Sequence, residues 1–296
     1  MLVQLALYGV LIPALVAGVI VVVAGRAWRT EGSAPAIVGP GLAAGFVAGY
    51  WGLLGAPAAI PIDVTGWLPH LAVLAAVACA VENGISSRAV HWAGRLVVSL
   101  VTAWLLLRPL AGSSWTTGQA MVTTAGFGLV LLATWYFIAR AATGEHRLVG
   151  VGLAILLAAS TAAAVAASGS LLVGQLTGAM AAGLGALFVA MLVFAAIPTA
   201  DKAAGVVAIV TGGAAILGFA YSQLPVVSLL LLAIVIPAYM AVCTVIGDRL
   251  ASRLATAIRL GVAAVIAAAA IGLAAMPPAA DGGSGDDYDY AYGDDS

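Results

Sequence analysis

Ten apolar runs, most of them close to the roughly 20 residues needed to cross a bilayer's hydrocarbon core, follow one another with only short breaks. They are Leu2–Ala24, Ala36–Leu54, Leu68–Glu82, Leu96–Leu110, Ala120–Ile138, Leu148–Ala167, Leu171–Ile197, Ala203–Tyr221, Pro225–Ile246 and Ile258–Met276. Backbone donors and acceptors cannot stay open in lipid, so runs of this kind must be helices. The expected fold is all-α, a polytopic transmembrane helical bundle of about ten spans over residues 1–276. Composition agrees. The chain is 64% hydrophobic and 8% charged, whereas a soluble domain carries about 25% charged residues. So little charge cannot cover a surface in water, and membrane lipids become the expected surroundings.

The charges that remain are segregated. Of the twelve acids, six lie in the last sixteen residues. Residues 277–296 read PPAADGGSGDDYDYAYGDDS, too polar and Gly-rich to bury a core, so a disordered acidic tail is expected there. No basic stripe points to nucleic acid. Lys202 is the single lysine among eleven basic residues. With the abundance of Ala and Gly, this composition suits a GC-rich bacterial genome, and so the cytoplasmic (inner) membrane of a bacterium.

Basic residues also set the orientation. Arg26 and Arg29 follow span one, Arg88 and Arg95 precede span four, and Arg140 and Arg147 separate spans five and six. Lys202 precedes span eight, and Arg249, Arg253 and Arg259 lie between spans nine and ten. With ten spans all of these share one side, which is the cytoplasmic side by the positive-inside rule. Only Arg108 falls opposite. The N-terminus and the C-terminus are therefore expected outside. Span one has its arginines after it, the reverse of a secretory signal peptide, and is read as retained. Trp28 and Trp92 near one surface, and Trp51, Trp67 and Trp115 near the other, read as an aromatic belt. Trp135 is placed close to the inner end of span five and Trp104 deeper.

Five spans per half admit a 5+5 inverted repeat, the arrangement of many secondary transporters. One echo fits it: VVSL at 97–100 followed by Pro109 in span four, and VVSL at 226–229 followed by Pro237 in span nine. The span count alone is similar to that of the drug/metabolite transporter superfamily. Members of that group have both ends inside, and no motif carries across.

Gly41, Gly45 and Gly49 recur every fourth residue of span two, with Gly52 one turn on. Such a groove lets another helix approach closely, either within the bundle or as the face of a homo-oligomer or protein partner. Gly174, Gly178 and Gly185 repeat the theme more weakly in span seven. Gln119, Thr123, Gly126 and Thr134 share one face of span five at 100° per residue. That polar face should turn inward, lining a path or simply packing. Glu82 could hold a proton or cation, or rest at the interface. Arg108 could draw an anion, pair with Asp63, or snorkel to the surface. Thr211-Gly212-Gly213 could break span eight at mid-depth and expose backbone to an ion, and Pro237 should kink span nine.

Cys79 and Cys243 lie far apart in separate spans and read as small apolar fillers. His70, His91 and His146 form no facing pair at one depth, so no haem or other cofactor is expected. HExxH, Walker A and GxSxG are all missing. The chain is expected not to be an enzyme. The leading expectation is a small-molecule or ion transporter, with Glu82, Arg108, Gln119, Thr123, Thr134 and Thr211 along its path. The alternative is a non-catalytic membrane subunit or scaffold.

Overall fold

The computed structural model describes residues 4, 6–27, 37–143, 147–194, 200–246 and 252–276. Trp28, Arg29, His146, Arg249 and the acidic tail fall outside the described residues. The fold is all-helical, with ten α-helices among the described residues: α1 Ile12–Ala27, α2 Val38–Leu54, α3 Trp67–Glu82, α4 Arg88–Leu107, α5 Thr117–Ala141, α6 Arg147–Ala167, α7 Leu171–Val193, α8 Ala204–Tyr221, α9 Val226–Ile246 and α10 Ser252–Ala274. A π-helical turn, Leu7–Leu11, leads into α1, and short 3-10 turns follow α4 and precede α8.

Among the described residues, seven helices, α4 to α10 with their flanking turns, are long and apolar enough to cross a membrane. The first three are shorter. At 1.5 Å per residue, α3 is only about 24 Å long, less than the roughly 30 Å of a hydrocarbon core. Exposed Leu15, Val19 and Val23 run down α1, and Val226, Val227, Leu230 and Ile234 down α9. Apolar faces of this extent suit lipid and not water.

At the centre stands α8, with 14 of its 18 residues buried. It packs against α2 to α7 and α9. Its glycines explain how so many neighbours fit. Gly205 lies against the ring of Trp135, Gly212 against Leu131, Gly213 against Leu68 and Leu106, and Gly218 against Val165. Each missing side chain is a socket for a large one from a surrounding helix, giving close packing by dispersion. The break that Thr211-Gly212-Gly213 could introduce does not occur, and α8 is continuous. Thr211 donates its hydroxyl to the Val207 carbonyl one turn back, which satisfies it without unwinding the helix. At the far end of α8, Tyr221 donates to the Leu106 carbonyl at 2.9 Å and ties it to α4.

The glycine face of α2 is filled by the chain itself. At Gly45, an added Cβ would lie 2.7 Å from the Pro13 carbonyl oxygen and 2.9 Å from the Ala17 Cβ. Gly41 faces Val21, Gly49 faces Pro13 and Ala179, and Gly52 faces the Tyr8 ring. Of the two readings of this face, the structure supports close packing within the bundle, with α1 in the groove. Helix α10 packs against α6 and α9 at the opposite edge.

The contacts do not exchange as a five-plus-five repeat requires. Pairing the halves matches α3 with α8, yet among the described residues α3 packs mainly against α2, α4 and α8, while α8 touches most of the bundle. The VVSL echo also falls out of register. In α4 it occupies the middle of the helix, and Pro109 follows the helix end. In α9 it forms the first turn, and Pro237 sits inside.

Candidate functional site

Several charged side chains gather around one cavity, where α3 ends and α4 begins. The reason is that α4 begins at Arg88, eight residues before the apolar run expected for it, and so carries His91, Trp92 and Arg95 on helix and not in a loop. The turn at 83–87 is short, so the start of α4 returns beside the end of α3. Arg95 thereby reaches Glu82. Its Nε donates to Oε1 at 2.8 Å and its Nη2 to Oε2 at 2.7 Å, a two-pronged ion pair with both side chains under 20% exposed. The guanidinium carbon also lies 5.5 Å from the Trp135 ring centre and 6.0 Å from that of Trp92. Stacking on indole faces further fixes the planar group.

This pair forms part of the wall of a polar chamber of about 260 Å³. Arg140 and Thr143 come from the end of α5, and Asp201 and Lys202 from the 3-10 turn before α8. Lys202 is 3.5 Å from Asp201, a loose pair. Asn83 donates to the Cys79 carbonyl, and the Nε2 of His91 contacts the Ile85 carbonyl at 2.8 Å, so both secure the α3–α4 turn. The chamber thus sets Arg95, Arg140 and Lys202 against Glu82 and Asp201. Its volume falls just below the usual range of small-molecule pockets, about 300–1,000 Å³.

A second cavity, of about 40 Å³, lies beside the middle of α8, between α5, α6 and α9. Thr134, Thr161, Thr211 and Pro237 contribute to its otherwise apolar wall. A water needs roughly 10–15 Å³ of such space, so this cavity has room for a few waters and not for a metabolite. Along α5 the buried Trp135, which is 1% exposed and rests on Gly205, falls between Thr134 of the small cavity and Tyr136 of the chamber. Trp135, placed by the sequence near the inner end of span five, is therefore a core residue. No group of three or more His, Cys, Asp or Glu able to hold a metal occurs among the described residues.

The expected path residues separate into three sets. Glu82 lines the chamber, paired. Thr134 and Thr211 line the small cavity together. Arg108, Gln119 and Thr123 line neither. Arg108 is exposed on the 3-10 turn after α4. Asp63 does not pair with it but accepts from Thr65 and the Gly66 amide, capping the entry to α3. Gln119 completes a capping box with Thr116 at the start of α5, an ordinary way to satisfy open amides. The buried face of α5 is Ala120, Thr124, Gly128, Leu131, Trp135 and Ile138. At 100° per residue it lies roughly a quarter to a third of a turn from the polar stripe, which therefore meets the bundle only at Thr134. Cys79 and Cys243 are both free thiols on separate helices.

Sequence reasoning missed Arg95, Arg140 and Lys202. All three serve in the sequence as loop charges that set topology, a role that does not exclude a place in a cavity. Comparison with known proteins adds no assignment: no family model, curated protein or solved structure matches this chain.

Proposed function

We propose that this chain is a ten-span permease-like protein of a bacterial cytoplasmic membrane. It would move a small polar solute or ion, with the charged chamber as its cytoplasmic vestibule and both chain ends outside. The observation that carries this reading is the chamber itself. Five charged side chains from α3, α4, α5 and the foot of α8, with His91 beside them, converge on one cavity of about 260 Å³. Ionisable groups at the edge of a membrane core are costly to hold and commonly mark solute pathways. Trp135 on Gly205 closes the vestibule from the interior, so passage requires a movement. Pro237 gives α9 the place where a helix bends most readily. The chain has no nucleotide-binding motif, so the coupling expected is to an ion gradient or to another subunit.

The test is flux into liposomes holding the purified protein, across a panel of small anions, cations and neutral solutes. The expected result is saturable flux of at least one class, reduced in a folded Glu82→Gln variant. The rival reading, a non-catalytic membrane subunit or scaffold, draws on the small interior cavity, whose 40 Å³ admits no metabolite. Absence of flux for the whole panel, together with a stoichiometric protein copurifying in mild detergent, would replace the permease with that subunit.

A further inference from the structure

We infer that the charged chamber is a phosphate-binding site, taking the phosphate group of a small soluble phosphate compound or of a lipid headgroup. The inference rests on the vestibule reading for its setting in the membrane. The argument is a census of donors and acceptors. A guanidinium has five N–H donors, a lysine three, and a carboxylate none. Both oxygens of Glu82 are engaged by Arg95 through Nε and Nη2, which leaves further donors on that guanidinium. Lys202 makes one long contact, to Asp201. Arg140 uses its carbonyl to accept from Thr143, and no ion pair of its guanidinium forms among the described residues.

Among the described residues the cavity wall therefore carries two arginines and a lysine, beside His91, against two carboxylates, and a clear surplus of donors. A surplus cation on the wall of a cavity attracts an anion, and the geometry favours one shape of anion. The three cations stand on three separate elements: Arg95 on α4, Arg140 on α5, and Lys202 on the turn before α8. A planar carboxylate offers two oxygens in one plane. A tetrahedral phosphate offers acceptors in several directions at once and suits guanidinium forks. The volume has room for such a group with a short organic remainder, and not for a nucleotide.

The probe is inorganic phosphate, titrated into the full-length protein in phosphatidylcholine nanodiscs against chloride at constant ionic strength. Tryptophan emission is the readout, because Trp92 and Trp135 both flank Arg95. The expected result is a saturable change whose midpoint rises about tenfold or more in Arg140→Gln, the loss of a charge-assisted contact. Lys202→Gln should act in the same direction. Both side chains lie at the rim, outside the packed core, and thermal melts check that each variant is folded. Repeating the titration in phosphatidylglycerol discs separates the sources. A response already saturated before phosphate is added identifies a lipid headgroup, and a retained response identifies a soluble phosphate.

No saturable change in phosphatidylcholine discs, or one that both variants leave unaltered, would overturn the inference. Flux separates it from the permease reading. Phosphate binding without any flux keeps the site and removes the permease. Flux without phosphate binding keeps the permease and removes the site.

Discussion

Arg95 is the residue on which most of the chamber depends, because it pairs with Glu82 and stacks between two indoles at once. Removing one partner of a sheltered pair leaves the other desolvated and unpaired. Glu82→Gln should therefore lower stability by about 1–3 kcal/mol, and Glu82→Gln with Arg95→Gln should recover part of that. Thermal or denaturant unfolding in detergent, run as a double-mutant cycle, checks this; strict additivity would mean that the pair is not coupled. Thr123 is half-exposed and outside both cavities. Thr123→Val should accordingly leave both stability and flux unchanged, and a lost flux would return the polar stripe of α5 to the pathway. Some of this was legible beforehand. Thr116-x-x-Gln119 has the spacing of a capping box, so the local role of Gln119 could have been read from sequence. The pairing of Glu82 with Arg95 could not, because the apolar run conceals that α4 starts two turns before it.

At the scale of the element, α8 is distinguished by sockets and not by polarity. Gly205→Ala would drive a Cβ into the Trp135 ring and should cost about 1–3 kcal/mol through overpacking. Gly126→Ala on α5 meets nothing within 4 Å and should be neutral or slightly stabilising. Comparing the two variants by thermal unfolding isolates the socket from helix propensity, and equal effects would sink the socket account. Gly45→Leu should cost the folded monomer its α1–α2 seam. It should give aggregation or loss of yield, and not the clean release of a partner. The glycine pattern of α2 was readable as close approach, but its occupant was not, since a groove does not record which helix fills it. In α8 the same residue type suggested a break. Glycines on several faces of a helix with no charged residue instead fit a helix enclosed on all sides.

For the whole molecule, hydropathy was the reliable signal, since helix formation in lipid is forced by the backbone. Among the described residues a helix falls within or overlaps each of the ten apolar runs, and seven of those helices are long and apolar enough to cross a membrane. The proposed topology predicts that a periplasm-active reporter fused after Met276 is active in a bacterial host. Silence there, with an active cytoplasmic reporter at the same point, would refute ten spans with both ends outside. The VVSL echo has a physical explanation. In a chain so rich in Val, Leu and Ser, four-residue matches arise from composition, and only their position within a helix tells copies apart.

The central placement of α8 also bears on how the protein is made. Its first residue is the 204th of 296, so α2 to α7 are synthesised before the helix they enclose. Until then, Trp135, Leu131, Leu68 and Leu106 have no glycine to rest on, and the partial bundle presents an unfilled concave face. Because α8 carries no charged side chain, it can enter lipid alone and dock afterwards, as a two-stage assembly requires. Biogenesis then has a late committed step, at which the unfinished ring must remain open and must not collapse upon itself.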